Sequence, residues 1–156
     1  MSGDRGLPMP FVSHSTDMFA ASNRKRRRMS AREKVFEAIR SSWSIETCGE
    51  PEKWTPENPS MGQCDASSFV AWEYLGGDLV LGNVFVDGEQ TEHHYWNRIG
   101  GEDFDLTRAQ FLEGEDVVEA AVVENEFLQS NQMAMKPDVM ARVEVMRGLV
   151  QAKLEG

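Results

Sequence analysis

Apolar positions along this chain follow first a helical and then a two-residue rhythm, and each run predicts an element. Val35, Phe36, Ile39 and Trp43 fall on one helical face, while Ser30 is placed to cap the start and Glu33 completes a capping box. That spacing predicts a helix over about residues 31–43. From Ser44 to Ser60 the chain carries Gly49, Pro51, Pro56 and Pro59, which exclude regular structure over most of the length. A long loop follows, leading into Gly62-Gln63-Cys64, and such loops often hold binding residues. A second helix should begin near Cys64 and end at Tyr74 or Leu75, stopped by Gly76-Gly77. Its Phe69, Val70, Trp72 and Tyr74 are apolar, and Ala66, Ser67, Ser68 and Ala71 are small enough for close packing on a sheet. A buried central helix fits this mixture.

Beyond Gly77 the rhythm changes. Leu79-Val80-Leu81 and Asn83-Val84-Phe85-Val86, with Gly82 between them, read as one strand with a bulge inside Asp78 to Asp87. Asp87-Gly88 is a turn signal. A second strand is expected from His94 to Ile99, a tight turn at Gly100-Gly101, and a short third strand from Asp103 to Leu106. Thr107 is placed to cap a short helix, Arg108 to Leu112. Val117 to Val123 favours a strand through its valines, against Glu119, Ala120 and Ala121, which favour a helix. Pro137 opens the last helix, whose stripe is Val139, Met140, Val143, Met146, Leu149 and Val150. The expected fold class is α+β: a central Cys-bearing helix on a small antiparallel sheet, with flanking N- and C-terminal helices.

A chain of 156 residues that is 40% hydrophobic can bury one core, which predicts a single domain over residues 29–156. Residues 1–28 mix Gly, Pro, Ser and Met without period and are expected to be a disordered basic tail; Met29 is an alternative start. No apolar run approaches the roughly 20 residues a membrane span needs, and the first residues lack a secretory apolar stretch, so a cytoplasmic protein is expected. The net charge of −10 is unevenly spread. The first 28 residues hold six basic and two acidic side chains, leaving 10 basic against 24 acidic in the remainder. So acidic a body repels phosphate backbones and argues against nucleic acid as its partner. The cluster Arg24 to Arg28 reads either as a solvated tail or as a contact for an anionic polymer.

Two cysteines, Cys48 and Cys64, are too few for a disulfide scaffold and do not form a zinc pattern. Cys64 stands where a helix begins, and there the dipole and unpaired N–H groups favour a thiolate. Gly62 lets backbone approach a substrate carbonyl closely, while the Gln63 side chain or the Cys64 N–H is positioned to donate to an oxyanion. On the second strand, His94, Trp96 and Arg98 share one face, and His93, Tyr95 and Asn97 share the other. Pairing about Gly100-Gly101 sets positions summing to about 201 opposite one another, so Asp105 faces roughly residue 96 with His94 as a diagonal neighbour. His94 is therefore preferred over His93 as base, with Asp105 as its orienter. Trp54, Trp96 and Asn97 are candidates for the substrate side, against the plainer readings of Trp54 as a lid packed over the core and Asn97 as structural. Taken singly, Cys64, His94 and Asp105 each have an inert reading; their order along the chain is what points to chemistry. Zinc held by Cys64, His93 or His94 and Asp105 is disfavoured because adjacent strand residues point to opposite faces, and no metal or cofactor is expected.

Gly62-Gln63-Cys64, the small-residue helix ending in Gly76-Gly77, His94-Tyr95-Trp96-Asn97, and Asp105-Leu106-Thr107 with Gln110-Phe111 resemble the YunG family of bacterial proteins over about residues 31–154. More distantly, the Cys on a helix, the His two before a Trp and the Asp before Leu-Thr resemble the core of papain-like and transglutaminase-like thiol enzymes. The distant likeness implies a cysteine-dependent acyl-transfer enzyme, either an amide or isopeptide hydrolase or a transferase, acting on an amide-containing substrate. Cys64 would be nucleophile, His94 acid and base, Asp105 orienter, and Gln63 part of the oxyanion site. The alternative is an inactive papain-like fold that holds a protein partner through its acidic face or Met-rich helix.

Overall fold

In the computed structural model, residues 29–126 and 136–156 are described. The tail expected over residues 1–28, Arg24 to Arg28 included, lies outside them. The chain divides into two units, residues 1–33 and 34–156. Of the first, the Ser30–Glu33 cap is described: the Glu33 N–H donates to Ser30 Oγ at 3.1 Å. The second holds the sheet and the core.

Helix α1, Ala31–Arg40, buries Val35, Phe36, Ala38 and Ile39. It stops short of the expected Trp43 because Ser41 and Ser42 turn their hydroxyls back on the Ala38 carbonyl, at 3.2 and 2.7 Å, and compete for the last turn. Trp43 then leaves the helix and donates its Nε1–H to Ser67 Oγ at 2.9 Å. The proline-bearing segment that follows forms two 3-10 turns, Ile45–Thr47 and Pro51–Lys53. Helix α2, Cys64–Leu75, matches the expected limits and buries every residue from Ala66 to Ala71.

Four antiparallel strands form the sheet in the order β3-β2-β1-β4: β1 Asp78–Val86, β2 Glu89–Ile99, β3 Glu102–Phe104 and β4 Glu115–Val123. Strand β2 begins five residues before the expected His94. Asp87 (φ 51°) and Gly88 (φ 82°) make a two-residue turn that pairs Val86 with Glu89, so the ladder forms even where the sequence is polar. A register shift lies between Leu81 and Gly82 on the β4 side, at the expected bulge. Gly82 also admits the Trp96 ring, since a Cβ there would fall 2.5 Å from Trp96 Cζ3. Across Gly100-Gly101, Asn97 pairs with Phe104 and Arg98 with Asp103, the expected register. β3 ends at Phe104 instead of Leu106, which leaves Asp105 just past the strand, and the expected helix to Leu112 is a 3-10 turn over Arg108–Gln110.

The core gathers Phe36, Ile39, Phe69, Val70, Leu79, Val143, Met146 and Val150, with Tyr95, Ile99 and Phe104 of the sheet packed against it. By parity Val80, Val84, His94 and Trp96, all buried, share the other face. Helix α3, Pro137–Glu155, packs on α2. Its buried stripe is Val139, Arg142, Val143, Met146 and Val150; Met140 and Leu149, expected in the stripe, are 47% and 38% exposed. No helix among the described residues is long and apolar enough to cross a membrane.

Candidate active site

Three segments meet where β3 stops. Cys64 is the first residue of α2, His94 lies in β2, and Asp105 begins the segment that leaves β3. His94 is fully buried, and its Nε2 contacts Asp105 Oδ2 at 2.8 Å. A carboxylate partner places the proton on Nε2 in the neutral ring, which leaves Nδ1 with a lone pair. That Nδ1 is buried and meets no hydrogen-bond partner among the described residues; the same is true of Asp105 Oδ1. Phe111 closes one side of the ring edge-on, with centroids 4.7 Å apart, and Trp96 lies 5.8 Å away on the other contact.

Cys64 shares a small pocket with Tyr95, Asn97 and Leu106, the residue after Asp105, and the Tyr95 N–H is directed at its sulfur. The sulfur is not bonded to either imidazole nitrogen. Burial, and then the charge of Asp65, push the Cys64 thiol up to about 12, against the weaker pull of the Tyr95 N–H and opposite in direction to the lowering expected of a helix start. The residue is half-buried by exposure, yet an anion at its sulfur would lose water in the closely walled pocket and face a carboxylate next door. The pocket at the sulfur is small, about 10 Å³, and is walled by Ser67, Ser68, Tyr95, Asn97, Leu106 and Thr107 among others.

The remaining expected site residues are spread more widely. Gln63 is fully buried, with Nε2 on the Ser44 carbonyl at 2.9 Å and Oε1 accepting from Thr47 Oγ1 at 2.6 Å. Its side chain ties the loop to α2 and is committed away from the oxyanion role expected of it. Asn97 donates to the Ser68 carbonyl at 3.0 Å, joining β2 to α2 while it lines the pocket at the sulfur. Trp96 also lines that pocket and donates Nε1–H to Asp103 at 3.1 Å. Trp54 turns its Nε1–H to the Pro59 carbonyl at 3.1 Å, within its own loop, and lines neither cavity described here. His93 contacts Asn83 at 3.1 Å. Among the described residues no group of three His, Cys, Asp or Glu side chains is arranged to hold a metal ion.

Cys48, which had no expected role, packs under the turn that leads to Cys64. Its Sγ contacts the Met61 carbonyl at 2.9 Å and accepts from the Glu50 N–H at 3.3 Å, and burial pushes its thiol upward. Gln110 links the turn to the Asp105 segment: Oε1 accepts from the Gly62 N–H at 3.0 Å and Nε2 donates to Thr107 Oγ1 at 3.1 Å. Beyond Phe111 opens a larger cavity of about 260 Å³, walled by Glu50, Lys53, Met61, Glu92, Phe111 and Glu115 among others. Burial and the carboxylates of Glu50 and Glu115 raise Glu92 there. The residue missed from sequence was Arg142 of α3, which bonds Asp65 beside the cysteine. A lone cation on an apolar stripe was its signal, because a buried charge demands a partner.

Comparison with known proteins places these residues in a family. The family profile described as YunG protein matches residues 31–155. A curated relative, "Uncharacterized protein YunG" of Bacillus subtilis (strain 168), is 33% identical over 79 residues, which is 51% of this chain. The match spans 62% of that relative's length, less than two thirds. No solved structure matches.

Proposed function

The chain belongs to the YunG protein family, and on that premise we propose that it is a cysteine-dependent acyl-transfer enzyme with a papain-like division of labour. The observation that carries the reading is a buried imidazole held by Asp105 through Nε2, with Nδ1 unpartnered among the described residues, together with a cysteine at a helix start that feels the same Asp105 charge. Because the resting thiol is pushed up to about 12, its proton leaves as it attacks and is not lost beforehand. His94 Nδ1 takes that proton while Cys64 Sγ bonds to the acyl carbon and the carbonyl electron pair moves onto oxygen. When the intermediate collapses, the C–N bond breaks and His94 returns the proton to the departing amine. Water then releases a carboxylic acid from the thioester, or a second amine releases a new amide. Backbone N–H groups in the first turn of α2 carry the oxyanion role, since the Gln63 amide is engaged elsewhere. An amide-containing side chain or peptide is the substrate class.

A second reading is favoured by the small pocket and the raised thiol: an inactive papain-like fold that binds a protein partner. Acetylation by p-nitrophenyl acetate, read at each cysteine by mass spectrometry, separates the two. The enzyme reading expects Cys64 to acetylate ahead of Cys48 and His94→Ala to slow it by about 10²- to 10⁴-fold. Equal rates with and without His94 would overturn it in favour of the binding module.

A further inference from the structure

Arg142 is an expensive residue for α3 to bury. It occupies the stripe between Val139 and Val143 that docks on α2, and it is 9% exposed. Its guanidinium reaches across to α2, where NH2 bonds Asp65 Oδ2, and NH1 turns to Asp138 Oδ2 at 3.2 Å. The loop is shaped around the same group, because a Cβ at Gly49 would stand 3.3 Å from Arg142 NH2. Asp65 is the residue after Cys64, and its other oxygen accepts the Ala66 N–H at 2.7 Å, which fixes the carboxylate against the first turn.

From this arrangement we infer that Arg142 is a positioning residue for Cys64: it pins the first turn of α2 through Asp65 and offsets the carboxylate next to the sulfur. The inference rests on reading Cys64 as the nucleophile. A helix N-terminus gains from an acidic residue in its first turn, yet the same charge opposes an anion on the neighbouring sulfur. Arg142 serves both, since it holds the carboxylate in place and offsets part of its charge toward Cys64. The other charged or titratable groups that act on the sulfur are Glu92 and the Tyr95 hydroxyl from β2, and Asp105 beyond β3. Of the acidic groups acting on the sulfur, Asp65 has the largest effect, and Arg142 is bonded directly to it.

The test is the rate of Cys64 alkylation by iodoacetamide against pH, resolved from Cys48 by mass spectrometry, on the full chain. Compared are the native protein, Arg142→Gln, Asp65→Asn and the double variant. The expected result is that Arg142→Gln slows Cys64 about three- to tenfold at fixed pH and moves its profile upward, whereas Asp65→Asn speeds it and moves the profile downward. In the Asp65→Asn background Arg142→Gln has no further effect, and Arg142→Lys recovers part of the loss. A purely structural arginine would slow Cys64 equally in both backgrounds, and that outcome overturns the inference. Should Arg142→Gln fail to fold, Asp65→Asn and Arg142→Lys decide it, and an unshifted profile in Asp65→Asn rejects it. Every variant in this cycle keeps His94 unchanged, so the coupling between Asp65 and Arg142 survives or fails separately from the His94-dependent acetylation.

Discussion

A side chain at Gly62 would meet two obstacles. Its φ of 68° lies in the left-handed region, and a Cβ would fall 2.6 Å from Cys48 Sγ and 2.9 Å from the Gly49 nitrogen. Gly88, at φ 82°, meets only the first, because nothing stands within 4 Å of its Cβ position. Gly88→Ala is therefore expected to cost about 1–2 kcal/mol and Gly62→Ala at least about 2 kcal/mol more, compared by urea denaturation. Adding Cys48→Ala to Gly62→Ala should recover only part, since the Gly49 backbone remains; equal costs at the two glycines would contradict this account. In the sequence Gly62 was legible as a constrained position, but the constraint was assigned to an approaching substrate. The Cys48 sulfur that occupies the space comes from the other arm of the loop, a contact no local pattern encodes. His94 and Asp105 were legible because strand parity and a tight turn set their meeting. The commitment of Gln63 to Ser44 and Thr47 depends on the path of an irregular loop, where no periodicity operates.

Between elements, the shortest strand has the most to hold. β3 spans Glu102–Phe104 and delivers Asp105 to His94, and its anchor in the core is the Phe104 ring, 5.3 Å from Phe36 of α1. Truncating Phe36, which is 4% exposed, should cost about 3–5 kcal/mol in thermal or denaturant unfolding. A loss below about 1 kcal/mol would mean that α1 does not brace β3. Turns, the limits of α2 and the β2–β3 register were readable because each is a local signal of glycine placement or side-chain size. The end of α1 was not, because Ser41 and Ser42 sit in an unbroken helical pattern and act through their hydroxyls. On α3 the apolar residues are compatible with several neighbouring stripes, and the one chosen includes Arg142 because Asp65 waits on α2. Met140 and Leu149 turn outward as a result.

In the unit from Lys34 to Gly156 the sheet ends in a liability. No described strand pairs the outer edge of β4, where Val118 and Val122 are 52% and 44% exposed. Open edges with apolar side chains template association. Val118→Lys is expected to leave the unfolding free energy within about 0.5 kcal/mol while suppressing light scattering on heating; an unchanged scattering onset would show that the edge is not the contact. At this scale the order Cys64, His94, Asp105 could be read directly, because all three lie in one stretch of alternating elements. Arg142 could not, because it meets Asp65 across 77 positions of sequence. That separation also orders events in time. A ribosome releases the cysteine, the histidine and both aspartates well before α3 leaves the exit tunnel. Until α3 docks, the Asp65 carboxylate lacks its Arg142 partner, so on the inferred role of Arg142 the first turn of α2 takes its final setting only once α3 has folded onto it.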